Sequence, residues 1–220
     1  MPVSSPDLPT ASCGAAPDAA PLAAVLIHGR DRTAGEMIGL AERIALPQIA
    51  WRAPQAPGGS WYPQGFMAPD AANQPCLDLA LERIDGEVRS LQAAGLSRRR
   101  IALVGFSQGA CVACEYVRRH PTRWGAVIAF TGGLPGPEGT AWSERGGLDG
   151  TPVLLSVGDQ DVLVPWRRVQ ETAAVFSQMG AAVTLRLYPG GEHVVDDDEI
   201  REARTILAVA ASQSCLETSP

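Results

Sequence analysis

The sequence contains no lysine; all 18 of its basic residues are arginine. That excludes chemistry built on an amine side chain, including a phosphate-loop lysine, a Schiff-base lysine and a Ser-Lys dyad. The arginines are scattered and the net charge is −6, so nucleic-acid binding has no electrostatic support. The one dense basic run, Arg98-Arg99-Arg100, precedes an apolar stretch and reads as a solvated loop. Histidine is scarce, with three copies far apart, which leaves no metal-ligand constellation. The five cysteines are odd in number and their spacing is no disulfide framework. Cys111 and Cys114 fall inside a helical segment, where they read as small buried apolar residues. No window reaches transmembrane length. The N-terminus lacks the basic start and continuous apolar core of a signal peptide. These absences predict a soluble, cytoplasmic protein with no metal, no other cofactor, no nucleic-acid partner and no stable membrane insertion.

What is present suits one α/β domain: 220 residues, of which 45% are apolar. Residues 1–20, rich in Pro, Ala, Ser and Asp, read as a mobile arm with room for one short edge strand. Residues 21–212 read as a single domain and 213–220 as a tail. Within the domain, apolar runs at 22–28, 49–52, 101–106, 126–130, 153–157 and 183–188 predict strands. Segments at 34–45, 77–94, 110–119, 166–179 and 199–211 predict helices. Several strand segments are continuous Val/Ile/Leu/Ala runs, as in strands covered on both faces. The alternation predicts a mostly parallel sheet with right-handed crossovers, helices on both faces, and a site at the carboxyl ends of the strands.

The stretch Gly105-Phe106-Ser107-Gln108-Gly109 stands between the apolar strand Ile101–Val104 and the helical segment from Ala110 to Arg119. Strand, sharp turn and helix are the context that a nucleophile elbow needs. A serine hydroxyl also needs a general base, and that base needs a carboxylate to fix its tautomer. His120 follows the helix and precedes proline, so it reads as a helix stop. His28 ends the first strand, where its backbone, not its ring, belongs to the chemistry. His193 lies after the last strand, at the correct end of the sheet, and is the candidate base. The loop after the strand at 153–157 offers Asp159 and Asp161 as the carboxylate, and spacing alone does not choose between them. The run Asp196-Asp197-Asp198-Glu199 is a weaker candidate, since it opens the last helix, where carboxylates cap. Acyl transfer further needs oxyanion donors. One is the main-chain N–H of Gln108, and the other comes from the loop His28-Gly29-Arg30-Asp31.

These pieces resemble, in order and over residues 22 to 210, the phospholipase/carboxylesterase family, which includes relatives of acyl-protein thioesterases. The matching segments are Leu26-Ile27-His28-Gly29-Arg30, Arg52-Ala53-Pro54-Gln55-Ala56, Ser60-Trp61-Tyr62-Pro63, Gly105 to Ala110, Gly158 to Pro165 and Tyr188 to His193. The resemblance implies an α/β-hydrolase fold with a Ser107–Asp161–His193 triad. It selects Asp161 over Asp159, makes Arg30 and Gln108 the backbone oxyanion donors, and marks the Ser60-Trp61-Tyr62 segment as pocket-lining. Relatives also form dimers, which makes a homodimer one expected assembly. Asp31 departs from the pattern, standing where many relatives have glycine; its carboxylate is expected to point to solvent or toward Arg30 or Arg32.

Thr131 to Pro152 is too short for a helical cap domain, which leaves the site open. The long loop Pro54 to Pro75 supplies Trp61, Tyr62 and Phe66, either as walls of an acyl groove or as pins for the loop. Arg30 and Arg32 are the cations nearest the site, a thin basis for an anionic substrate. The leading expectation is a serine hydrolase of short-to-medium acyl esters, with thioesters and lysophospholipids as variants, acting through an acyl-enzyme. The alternatives are a lactone or aromatic-ester hydrolase and a hydrolase-fold ligand-binding protein without turnover.

Overall fold

The computed structural model describes residues 8–143 and 146–217. Seven strands form one sheet: β1 (Thr10–Gly14), β2 (Ala23–Ile27), β3 (Ala50–Pro54), β4 (Ile101–Phe106), β5 (Ala126–Phe130), β6 (Pro152–Gly158) and β7 (Ala182–Tyr188). Their order is β1-β3-β2-β4-β5-β6-β7. β1 runs antiparallel to β3 and the other pairings are parallel. Six helices join them: α1 (Ala34–Ile44), α2 (Asp70–Asn73), α3 (Cys76–Ala93), α4 (Gln108–Arg119), α5 (Trp166–Gln178) and α6 (Asp197–Glu217).

The sheet separates two apolar clusters. Ile101 and Leu103 of β4 pack with α3, α4 and α5, whereas Ala102 and Val104 pack with α1 and α6. Alternate residues of a strand face opposite sides, so burial on both sides demands an unbroken apolar run rather than alternation. β4 is central for that reason. Local chemistry sets the helix starts. Thr33 accepts the Glu36 N–H at 3.2 Å while the Glu36 carboxylate accepts the Thr33 N–H at 2.7 Å, a reciprocal cap that opens α1. Asp196 and Glu199 repeat the arrangement at α6, at 2.9 and 2.8 Å.

Thr10–Gly14 form β1, the short edge strand for which the expected arm left room, while residues 1–7 lie outside the described residues. One boundary differs from expectation: the expected tail from residue 213 begins inside α6, which continues to Glu217. Among the described residues of 131–152 no helix forms, and the segment is held as a strap. The buried Arg168 of α5 donates to the carbonyls of Leu134, Gly136 and Pro137, and its guanidinium lies over the Phe66 and Trp142 rings. No described helix is long and apolar enough to cross a membrane.

The arm is pinned by one buried carboxylate. Glu87 of α3 accepts from Thr10 Oγ1 on β1 at 2.6 Å, from Arg83 at 2.6 Å and from Arg52 on β3 at 2.9 Å. Burial pushes its pKa up, but the bonds from Thr10, Arg83 and Arg52 outweigh that and hold the carboxyl below its ordinary value. A depressed carboxylate stabilises the fold above its unfolded pKa, and that contribution is lost as pH falls through the folded value. Glu87→Gln is therefore expected to cost about 1–3 kcal/mol at neutral pH. The gap to wild type should close as pH drops below about 4. Urea titrations at pH 7 and pH 3.5 check this; a gap independent of pH would contradict it.

Candidate active site

β4 ends at Phe106 and α4 begins at Gln108, so Ser107 alone turns the chain. Its φ of 55° and ψ of −121° lie where a side chain is strained. Glycines make the turn sterically feasible. A Cβ on Gly105 would stand 2.4 Å from the Gly109 carbonyl oxygen, and one on Gly109 would stand 2.0 Å from that of Ile27. Gly29 packs against the same residue, where a Cβ would lie 3.2 Å from Ser107 Cβ. The result stands the Ser107 hydroxyl at the end of the central strand.

His193 reaches this hydroxyl from the loop after β7. Its Nε2 lies 2.7 Å from Ser107 Oγ and its Nδ1 lies 2.7 Å from Asp161 Oδ2. Nδ1–H donates to the carboxylate, which leaves Nε2 free to accept the serine proton. The Asp161 side chain is 0% exposed and that of His193 is 19% exposed. The other carboxylate oxygen, Asp161 Oδ1, accepts the N–H groups of Leu163 at 2.8 Å and Val164 at 3.0 Å, so the burial is matched by hydrogen bonds. Asp159 does something different: its Oδ1 accepts the Gly190 N–H at 2.7 Å and so fixes the turn ahead of His193. The two loops meet backbone to backbone, since a Cβ on Gly158 would stand 2.0 Å from the Gly191 carbonyl oxygen. The acidic run at 196–199 stays apart from this pair of loops' chemistry. Glu199 caps α6 and accepts Ser156 Oγ–H at 2.6 Å, and burial raises its carboxyl pKa.

Gln108 is the first residue of α4, so its N–H has no intrahelical acceptor. Among the described residues the Arg30 N–H donates to no main-chain carbonyl outside regular structure, whereas its neighbour Asp31 donates to Gly59 at 2.9 Å. Asp31 is exposed and has φ of 57°, a conformation that glycine adopts without strain. The His28 ring is fully buried. Its Nδ1–H donates to the Gly29 carbonyl at 2.7 Å and its Nε2 accepts the Ala56 N–H at 3.0 Å. Burial lowers its pKa, which keeps it neutral and structural. His120 bonds the Tyr116 carbonyl at the end of α4, far from the serine, as a helix stop.

A cavity of about 250 Å³ opens at Ser107, walled by Tyr62, Phe66, Cys111, Leu163 and Val164. Tyr62 and Phe66 both line it. Trp61 does not line this cavity: it is 3% exposed, donates its indole N–H to the His28 carbonyl at 2.8 Å, and lines a separate cavity of about 360 Å³ with Ser60 and Tyr62. Its role is to pin the loop. The side chains of Arg30 and Gln108 pin it as well. Arg30 donates to the carbonyls of Pro63 and Gln64, and Gln108 binds the Trp61 N–H and the Tyr62 carbonyl. Arg30 is held by neutral carbonyls and keeps its charge at the cavity, whereas Arg32 is paired with Glu36 at 3.0 Å. Leu163, Val164 and Cys111 were missed from the sequence. Their only signal is position: Leu163 and Val164 come two and three residues after Asp161, and Cys111 lies a helical turn after Ser107. Burial pushes the Cys111 thiol up to about 11, so it contributes an apolar wall rather than a thiolate.

The sequence model of the phospholipase/carboxylesterase family matches residues 15–211. Among solved structures, a phospholipase/carboxylesterase from Dyadobacter fermentans is 40% identical, with a TM-score of 0.86 over 91% of this chain and 96% of that one. An esterase, PE8, is 27% identical, with a TM-score of 0.76 over 92% of this chain and 99% of its own. A protein named as a probable carboxylesterase of Oryza sativa subsp. japonica is 28% identical over 209 residues, which is 85% of this chain and 87% of that protein. The architecture is the α/β-hydrolase fold.

The Gly158–Gly191 approach has a measurable consequence. Gly158→Ala must push the His193 loop off β6, which is expected to cost about 2 kcal/mol or more in stability. Thermal unfolding of the variant checks this, and an unchanged midpoint would contradict the close approach.

Proposed function

Because the chain belongs to the phospholipase/carboxylesterase family, carboxylesterases that hydrolyse ester bonds, we propose that it cleaves short-acyl carboxylic esters through a serine acyl-enzyme. One observation carries this reading: the unbroken relay from Asp161 Oδ2 through His193 to Ser107 Oγ, at 2.7 Å for each step.

The chemistry follows from that geometry. Ser107 Oγ attacks the ester carbonyl carbon while His193 Nε2 takes its proton. The resulting imidazolium is stabilised by Asp161, whose second oxygen is already held by two main-chain N–H groups and cannot swing away. The carbonyl oxygen becomes an oxyanion and accepts the N–H groups of Gln108 and Arg30. His193 then returns the proton to the departing alkoxide, and a water molecule activated by the same nitrogen releases the acid. A thioester would pass through the same steps. The cavity of about 250 Å³ at Ser107, closed by Tyr62 and Phe66, favours acyl groups from acetyl to hexanoyl over longer chains.

Initial rates on p-nitrophenyl esters from acetate to decanoate test the reading. Ser107→Ala is expected to lose at least about 10⁴-fold in kcat. Asp161→Asn should lose about 10³–10⁴-fold by the loss of tautomer control. Asp159→Asn, which loosens only the turn, should lose roughly tenfold. Retention of wild-type rates in Ser107→Ala, or a larger loss at Asp159 than at Asp161, would overturn the assignment.

A further inference from the structure

Two cavities meet at the Ser107–His193 pair. The first holds Ser107 and Gln108 and suits the acyl chain. The second, of about 380 Å³, lies between α1 and the loop that carries His193. Arg30 lines the first and Gly29 the second, so the loop after β2 divides them. The walls of the second are apolar, formed by Met37, Leu40, Phe106, Val194 and Val195, with His193 among them. Phe106 packs against the His193 ring at 5.3 Å between centroids, so the cavity continues directly from the imidazole.

We propose that this second cavity binds the leaving alcohol, and that the alcohol it suits is apolar and uncharged, nearer benzyl than ethyl in size. The proposal rests on the serine esterase reading above. In that mechanism His193 Nε2 must hand its proton to the leaving oxygen, so the leaving group departs on the side of Ser107 that His193 lines. Acyl chain and leaving group diverge from one tetrahedral carbon and cannot share a cavity. Charge decides the chemistry of the occupant. Arg32 and Arg43 also line the cavity, but Arg32 pairs with Glu36 and Arg43 pairs with Asp197, each at 3.0 Å. Glu36 itself lines the cavity, so an anionic leaving group would meet a carboxylate and two engaged guanidiniums. A neutral ring packs on the apolar wall without disturbing either ion pair, and its burial is favourable.

Gly39 provides a test that does not threaten the fold. It lies on α1, lines the cavity, and an added Cβ there meets no atom within 4 Å. Leucine is also the better helix former, so Gly39→Leu fills the cavity while strengthening α1. The measurement is kcat/KM for ethyl, benzyl and para-carboxybenzyl butyrate in both proteins. All three give the same acyl-enzyme, so differences between them report acylation alone. The ratio of variant to wild type cancels the intrinsic reactivity of each ester. Gly39→Leu should lose about tenfold or more on the benzyl ester and less than about threefold on the ethyl ester. Wild type should prefer the benzyl to the carboxybenzyl ester by about tenfold. Equal effects on ethyl and benzyl esters, or a preference for the carboxylate, would overturn the assignment. Wild type that cleaves none of the three would overturn the esterase reading itself and this assignment with it.

Discussion

The site depends on how closely α4 passes over the end of β2. Gly109 approaches the carbonyls of Ile27 and His28 more nearly than any side chain permits, and Gly105 makes the same approach to Gly109. This contact holds Ser107 in its strained conformation, because relaxing the serine would require the helix to lift. It also sets the two main-chain donors. Gln108 is forced to be the first residue of the helix, and the segment Gly29-Arg30 is drawn against Ser107. The proposed nucleophile and the proposed oxyanion donors are thus one packing arrangement rather than separate features.

A second backbone contact completes the arrangement from the opposite side. Gly158 and Gly191 touch without side chains between them, which joins the loop after β6 to the loop after β7. The two aspartates of the first loop then divide the work. Asp159 shapes the turn that precedes His193, while Asp161 orients the imidazole. Arg30 and Gln108 carry a comparable division within single residues. Their side chains tie down the loop from Pro54 to Pro75, while their main-chain N–H groups remain unclaimed by regular structure. The loop is a fixed wall for this reason, with Tyr62 and Phe66 presented to the cavity.

Legibility in the sequence tracked how local the cause was. β4 and β5 match their expected residues because strands buried on both faces are written as unbroken apolar runs. Ser107 was visible because strand, glycine turn and helix are contiguous. The resemblance singled out Asp161, but the reason lies in tertiary geometry: one loop carries both aspartates, and only its approach to the His193 loop at Gly158 and Gly191 assigns their partners. Trp61 stayed open between wall and anchor because a tryptophan in a long loop serves equally as either, and the His28 carbonyl that anchors it is 33 residues away. β1 reads as an arm with room for an edge strand because its partners, β3 and Glu87, lie far along the chain, Glu87 on a helix 77 residues beyond Thr10. The extension of α6 past Ala211 has no apolar periodicity to announce it.

The most direct test of the central claim is intact-protein and peptide mass spectrometry after brief exposure to a fluorophosphonate, a reagent that reacts only with an activated serine. The account predicts one adduct per chain, on the peptide bearing Ser107, and none when His193 is replaced by alanine. An adduct on another serine, or ester hydrolysis that continues at full rate with Ser107 blocked, would contradict it.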